Sequence, residues 1–245
     1  MTTREEFLSR IRAEIRKTGG LFPASPAPRP ADPRAVADTF RRELAERWPQ
    51  ALERFRREFE RVSGVFYRAA SLDDVPQIVA GIAREREARR LVAWHPSAVG
   101  GDLGPALAAR GLEPLAMPPG EIGDAHERAR LRQIIADAEI GLTGVDLAIA
   151  ETGTLVLRSG PGRPRSTSLL PPYHIAVFDR TALIESLSQA GVVLELWHRG
   201  EQGGGAVISF ITGPSHTADI ELTLTRGVHG PKEVHAIFVE RAIRG

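Results

Sequence analysis

The 245-residue chain has no cysteine. That absence excludes disulfides, a thiolate nucleophile, cysteine-ligated zinc and any iron–sulfur cluster held by this chain alone. If electrons pass through its reaction, another polypeptide carries them. Lysine is nearly absent too, with only Lys17 and Lys232. No apolar run approaches the ~18 residues needed to span a bilayer, and the start MTTREEF lacks the apolar core of a signal peptide. These absences lead to the expectation of a soluble, cytoplasmic protein without a membrane span. The nucleotide fingerprints GxGxxG and the P-loop are missing, as is the G-x-S-x-G elbow of hydrolases. The QGGG run at 202–205 has glycines but neither the spacing nor a lysine.

What is present is close to average for a soluble globular chain: 42% hydrophobic and 26% charged residues, with a net charge of +1. Arginines alternate with glutamates in RRELAERW and ERFRREFER, the pattern of a solvated helix face. A nucleic-acid binder would concentrate its basic residues and interleave aromatics, so no nucleic-acid partner is expected. The length suits one domain with an appendage.

Phe7, Leu8, Ile11 and Ile15 recur at helical spacing before Gly19-Gly20, which predicts a short amphipathic helix. Five prolines then fall between residues 21 and 33, an extended linker. From Val36 through Phe40, Leu44, Trp48, Leu52 and Phe55 to Phe59 runs one apolar stripe, on a helix that Pro49 must kink or split. Residues 1–61 are read as an N-terminal helical extension with a Pro-rich linker at 21–33, and residues 62–245 as an α/β domain. After Gly64 short β-rich runs alternate with helical ones, the signature of βαβ units and a largely parallel sheet. Strands are predicted at 65–68, 91–94, 112–115, 145–150, 154–157, 174–178, 206–211 and 233–240, and GPSHTADIELTL is read as a loop leading into a strand. Helices are predicted at about 71–88, opened by a capping box in SLDD, then at 102–110, 124–140 and from Thr181 to about 190.

The chemistry-bearing residues crowd the C-terminal half. In ETGT, Glu151 stands where a strand ends and Gly153 lets the backbone turn, which either aims its carboxylate into a crevice or satisfies the turn amides. In GPSHTADIE, the Gly213-Pro214-Ser215 turn offers N–H groups and hydroxyls to an anion, or forms a Ser/Thr turn network. His216, Asp219, Glu221, His229 and His235 are a potential ligand set, but their spacing matches no compact metal motif, and no metal site is assigned. Strands ending at Ala150 and Ile211 would, in one parallel sheet, deliver ETGT and GPSHT to the carboxyl edge, where open α/β sheets bind ligands. Arg165 would then pair with the anion while Glu151 or a histidine moves a proton.

The ordered motifs DLAIAETGTLVL, RSTSLLPPYHI, GPSHTADIE and GVHGPKEVH, between residues 145 and 235, strongly resemble the LUD-domain family typified by lactate utilization protein C. The resemblance implies a three-layer, mostly parallel α/β fold of the NagB/RpiA/CoA-transferase-like kind, here with the N-terminal helical extension. It implies cytoplasmic bacterial L-lactate utilization, in which this chain binds no cofactor of its own and iron–sulfur partner proteins oxidise lactate to pyruvate. The motif positions carry over to Glu151, His174 and His229 as catalytic candidates. Thr152, Gly153, Thr154, Arg165, Gly213, Pro214, Ser215, Thr217, Asp219, Glu221 and Gly230 carry over as ligand-binding candidates. His216 stands where relatives often have arginine. The leading expectation is an accessory subunit binding a small carboxylate or phosphate-bearing ligand. The alternatives are a CoA-transferase- or sugar-phosphate-isomerase-like enzyme with Glu151 as nucleophile or base, and a scaffold.

Overall fold

The computed structural model describes residues 3–17, 30–199, 207–220, 223–227 and 229–243. The predicted amphipathic helix is α1 (Arg4–Lys17), which leaves Phe7 and Ile11 exposed. The expected linker at 21–33 lies outside the described residues as far as residue 29. Helix α2 (Pro33–Arg61) begins where the Asp32 carboxylate accepts the N–H groups of Arg34 and Ala35, each at 3.0 Å, with Pro33 preset for the first turn. Pro49 cannot continue the hydrogen-bond ladder, and the helix kinks just before it, Arg47 departing to φ −119°.

The remaining elements follow in chain order. They are β1 (Val65–Ala69), α3 (Val75–Glu85), β2 (Arg90–Ala93), α4 (Pro96–Val99), α5 (Gly104–Ala108), β3 (Glu113–Ala116), α6 (Ala125–Asp137) and β4 (Ile140–Gly144). Then come β5 (Leu147–Ile149), β6 (Thr154–Arg158), α7 (Ser166–Leu169), β7 (Tyr173–Asp179), β8 (Leu183–Ile184) and α8 (Leu187–Arg199). The last are β9 (Ile208–Ile211), β10 (His216–Ile220), β11 (Thr223–Arg226) and β12 (Glu233–Val239). A wholly parallel six-stranded sheet runs β1-β12-β7-β4-β2-β3, the mostly parallel α/β architecture expected. A second, four-stranded sheet runs β8-β5-β6-β9, mixed in direction, and β10 pairs with β11 alone.

Three predicted boundaries differ. The helix expected to reach residue 140 stops at Asp137, and Ile140–Gly144 is a buried central strand. The helix expected from Thr181 is instead a 3₁₀ turn at Arg180–Ala182, with the helix starting at Leu187. The segment read as a loop leading into a strand is the β10–β11 hairpin. The capping box is as read: Asp74 accepts the Ser71 backbone N–H at 2.9 Å and its hydroxyl at 3.1 Å.

Helix α2 is part of the core. Its buried Leu44, Leu52, Phe55 and Phe59 pack with β7, β12 and the inner residues of β5 and β6, while Ala37 and Phe40 pack with Leu147, Ile149 and Val156. Phe55 meets Phe178 edge-on at 5.3 Å, and Trp48 stacks on Phe238 at 5.7 Å. Burying one such ring contributes roughly 2–3 kcal/mol, so this helix is a structural beam touching both sheets. Among the described residues no helix is long and apolar enough to cross a membrane.

Candidate functional site

The family-like motifs gather at one end of the molecule, by a different route from the one expected. The ETGT turn joins β5 to β6, and β9 pairs antiparallel with β6, so the ends of β5 and β9 come to the same end of the four-stranded sheet. A chain of hydroxyls ties them: Thr152 Oγ1 lies 2.7 Å from Thr154 Oγ1, which lies 2.8 Å from Thr212 Oγ1. Both turns press on the end of α2. A Cβ on Gly153 (φ +62°) would sit 2.3 Å from the Phe59 nitrogen, and one on Gly213 (φ +82°) would sit 2.3 Å from the Val62 carbonyl oxygen. Only glycine satisfies both the left-handed backbone and that approach. Ser215 donates its backbone N–H to the Pro231 carbonyl at 3.0 Å, and Gly230 packs against the Ser215 side chain.

Val62 lies just ahead of β1, separated by Ser63 and Gly64, and Pro231 just ahead of β12, separated by Lys232, so this cluster occupies the amino end of the parallel sheet, opposite to the expectation from the sequence. The structure thus brings together Thr152, Gly153, Thr154, Gly213, Pro214, Ser215 and Gly230. Thr217 and Asp219 follow on the β10 backbone, and Glu221 lies outside the described residues. Arg165 is exposed at the start of α7, and His229 is exposed. The exposed Glu151 accepts the Leu187 backbone N–H at 2.9 Å, capping α8.

His174 is sealed inside the sheet, its Nε2 2.9 Å from Thr143 Oγ1. Burial above all, and then the neighbouring His235, lowers its pKa to about 3, so it is neutral at ordinary pH. On the other face of the sheet His235 is bound through Nε2 to Glu233 at 3.1 Å, and Glu233 is bound by Arg86 Nε at 2.9 Å. Burial lowers the His235 pKa, with the Glu233 charge opposing.

The carboxyl end of the parallel sheet holds a crevice of about 610 Å³. Its floor is the chain leaving β4 and β7, and its walls come from α2, α4 and α8. This is the edge where open α/β sheets bind ligands, because several strands release their loops there side by side. Asp146 has a side chain only 3% exposed. It accepts the Arg158 backbone N–H at 2.8 Å, Arg158 Nε at 3.1 Å and Arg163 Nη1 at 3.2 Å. The Arg158 guanidinium is stacked 4.1 Å from the centre of the Trp197 ring. Asp179 accepts the Thr181 backbone N–H at 2.7 Å, the Thr181 hydroxyl and the Ile243 N–H. Both acids of the crevice are therefore engaged. The guanidiniums of Arg41 and Arg180, exposed at its rim, pair with no other described residue.

A pocket of mixed polar and apolar lining, with one clamped arginine and two that pair with no other described residue, has the chemistry to receive an anion. None of its residues was singled out as a site from the sequence. The signal available was Asp179-Arg180-Thr181, a polar triplet with two charges ending an apolar strand.

The LUD domain family model matches residues 52–239. Lactate utilization protein C of Halalkalibacterium halodurans is 36% identical over 174 residues, 71% of this chain and 72% of that one. The protein of the same name from an Exiguobacterium species is 29% identical over 98% of this chain and 96% of its own. Among solved structures, a DUF162 family protein from Deinococcus radiodurans shares the fold with TM-score 0.53 and 20% identity, over 78% of this chain and 97% of that one. With its motif turns gathered on the end of α2 and a family match running from the second half of that helix to the last strand, the chain belongs to the LUD domain family.

Proposed function

We propose that this chain is an accessory, ligand-binding subunit of a bacterial L-lactate utilization system, acting in the cytoplasm with iron–sulfur proteins that oxidise lactate to pyruvate. The observation that carries the binding role is the crevice with Arg41 and Arg180, which pair with no other described residue. The relatives' names support the pathway. Since the chain has no cysteine, thiolate-held clusters would reside on the partners. The ligand is assigned to this crevice ahead of the amino end, where Glu151 is engaged with α8 and Thr152, Thr154 and Thr212 with one another.

The test is L-lactate-dependent dye reduction by the purified iron–sulfur partners with and without this chain. The rate should rise when the chain is added, and an unchanged rate tells against the accessory role.

A further inference from the structure

Resting on the reading of the crevice as an anion site, we propose that its ligand is a phosphate-bearing molecule of nucleotide size with an apolar or planar body, and not lactate or pyruvate themselves. Size is the first argument. A space of about 610 Å³ falls within the range of roughly 300–1,000 Å³ typical of sites for drug-sized ligands. A three-carbon acid would fill a small part of it and leave the walls wet.

Those walls are the second argument. Trp48 and Trp197, both half-buried, line the crevice and offer ring surface to a ligand, while Leu44, Val99, Val145, Phe178 and Leu183 in the same lining are buried. A lactate methyl group covers almost none of that surface, whereas a ring or an extended apolar body does.

Charge is the third argument. One carboxylate satisfies one guanidinium bidentately, and here Arg41 and Arg180 both lack a partner among the described residues while Arg158 is held on Asp146 and Trp197. A diphosphate carries enough acceptor oxygens, spread over enough length, to engage more than one of these arginines. No carboxylate in the lining is left unpaired to repel it, since Asp146 is tied to Arg158 and Arg163, and Asp179 to Thr181 and Ile243.

Isothermal titration of the full chain, with ADP, pyrophosphate, inorganic phosphate, L-lactate and pyruvate as probes, tests this. ADP should bind at least about tenfold more tightly than lactate, pyruvate or phosphate, and more tightly than pyrophosphate, which lacks the body. It should also change the tryptophan emission, since Trp48 and Trp197 both line the crevice. The double substitution Arg41→Ala/Arg180→Ala should weaken ADP at least about tenfold with the thermal unfolding midpoint unchanged. Lactate or pyruvate binding as tightly as ADP, with the same dependence on the two arginines, would overturn the inference about size and leave the crevice an anion site. If no probe binds, or ADP binding ignores the double substitution, the inference and the crevice assignment fall together. The dye-reduction result stands apart from both.

Discussion

The Glu151 carboxylate accepts the Leu187 backbone N–H across 36 residues of sequence, so a turn at the end of one hairpin supplies the N-terminal cap of α8. Helix N-termini leave N–H groups unpaired and favour negative charge, which makes this a stabilising contact.

Replacing Glu151 by Ala should therefore lower unfolding stability by about 1 kcal/mol, whereas Glu151→Gln keeps an acceptor and should lose less. Urea titrations measure this. The Gln variant should retain the stimulation of lactate-dependent dye reduction. Complete loss of stimulation in a Gln variant of unchanged stability would instead assign Glu151 to chemistry.

Backbone approach, not conformation alone, governs the two glycines of β4. A methyl on Gly141 would lie 1.8 Å from the Thr167 carbonyl oxygen, and one on Gly144 would lie 2.1 Å from that of Ala98. Alanine at either position forces α7 or α4 off the sheet and should cost about 3 kcal/mol, near the upper end of overpacking effects. Gly81, inside α3 with nothing near its missing Cβ, is the opposite case. Gly81→Ala should stabilise by about 0.5–1 kcal/mol. Denaturation midpoints of the three variants should separate in that order.

His174 and His235 are held below the ordinary histidine range, chiefly by burial. Below about pH 6.5 the unfolded chain takes up protons that the folded chain refuses, so stability falls as pH falls, for His174 by about 1.4 kcal/mol per unit. For His174 that window extends down to about 3. Stability measured at about pH 5 should be lower than at about pH 7 by roughly 2 kcal/mol from His174 alone. His174→Leu should make the profile shallower, and an unchanged slope would mean that its burial does not set the pH response.

Asp146 orients Arg158 and Arg163 together from a nearly sealed position. Asp146→Ala leaves the Arg158 backbone N–H without its acceptor and should cost about 2–3 kcal/mol. Because Arg158 would no longer be held over Trp197, tryptophan emission should shift as well. Asp146→Asn preserves one acceptor and should fall between the wild type and the Ala variant in denaturant titrations.

Much of this architecture could be read from local signals. The α2 stripe and the Pro49 kink follow from spacing and from proline's missing N–H, and β7 and β12 stand out as continuous apolar runs. Strand β4 did not, because IGLTG holds two glycines that local propensity disfavours in strands; the helices crossing above it require them. The motif turns were legible through their glycines and threonines, yet their meeting depends on β6 pairing with both β5 and β9, which no single segment specifies. The crevice was least legible: Arg41, Asp146, Arg158 and Arg180 come from separate elements and converge only once the sheet order is known.

That sheet order has a consequence for synthesis. Strand β1 has only β12 as a neighbour in the parallel sheet, with Val65 opposite His235. A nascent chain on the ribosome therefore holds β1 without its sheet partner until β12 has emerged. Pairing at such separation is slow, and exposed strand edges and aromatic surface invite aggregation while it waits. Strand β1 is thus locked in place by β12, and a message truncated before β12 yields a chain that cannot complete this sheet.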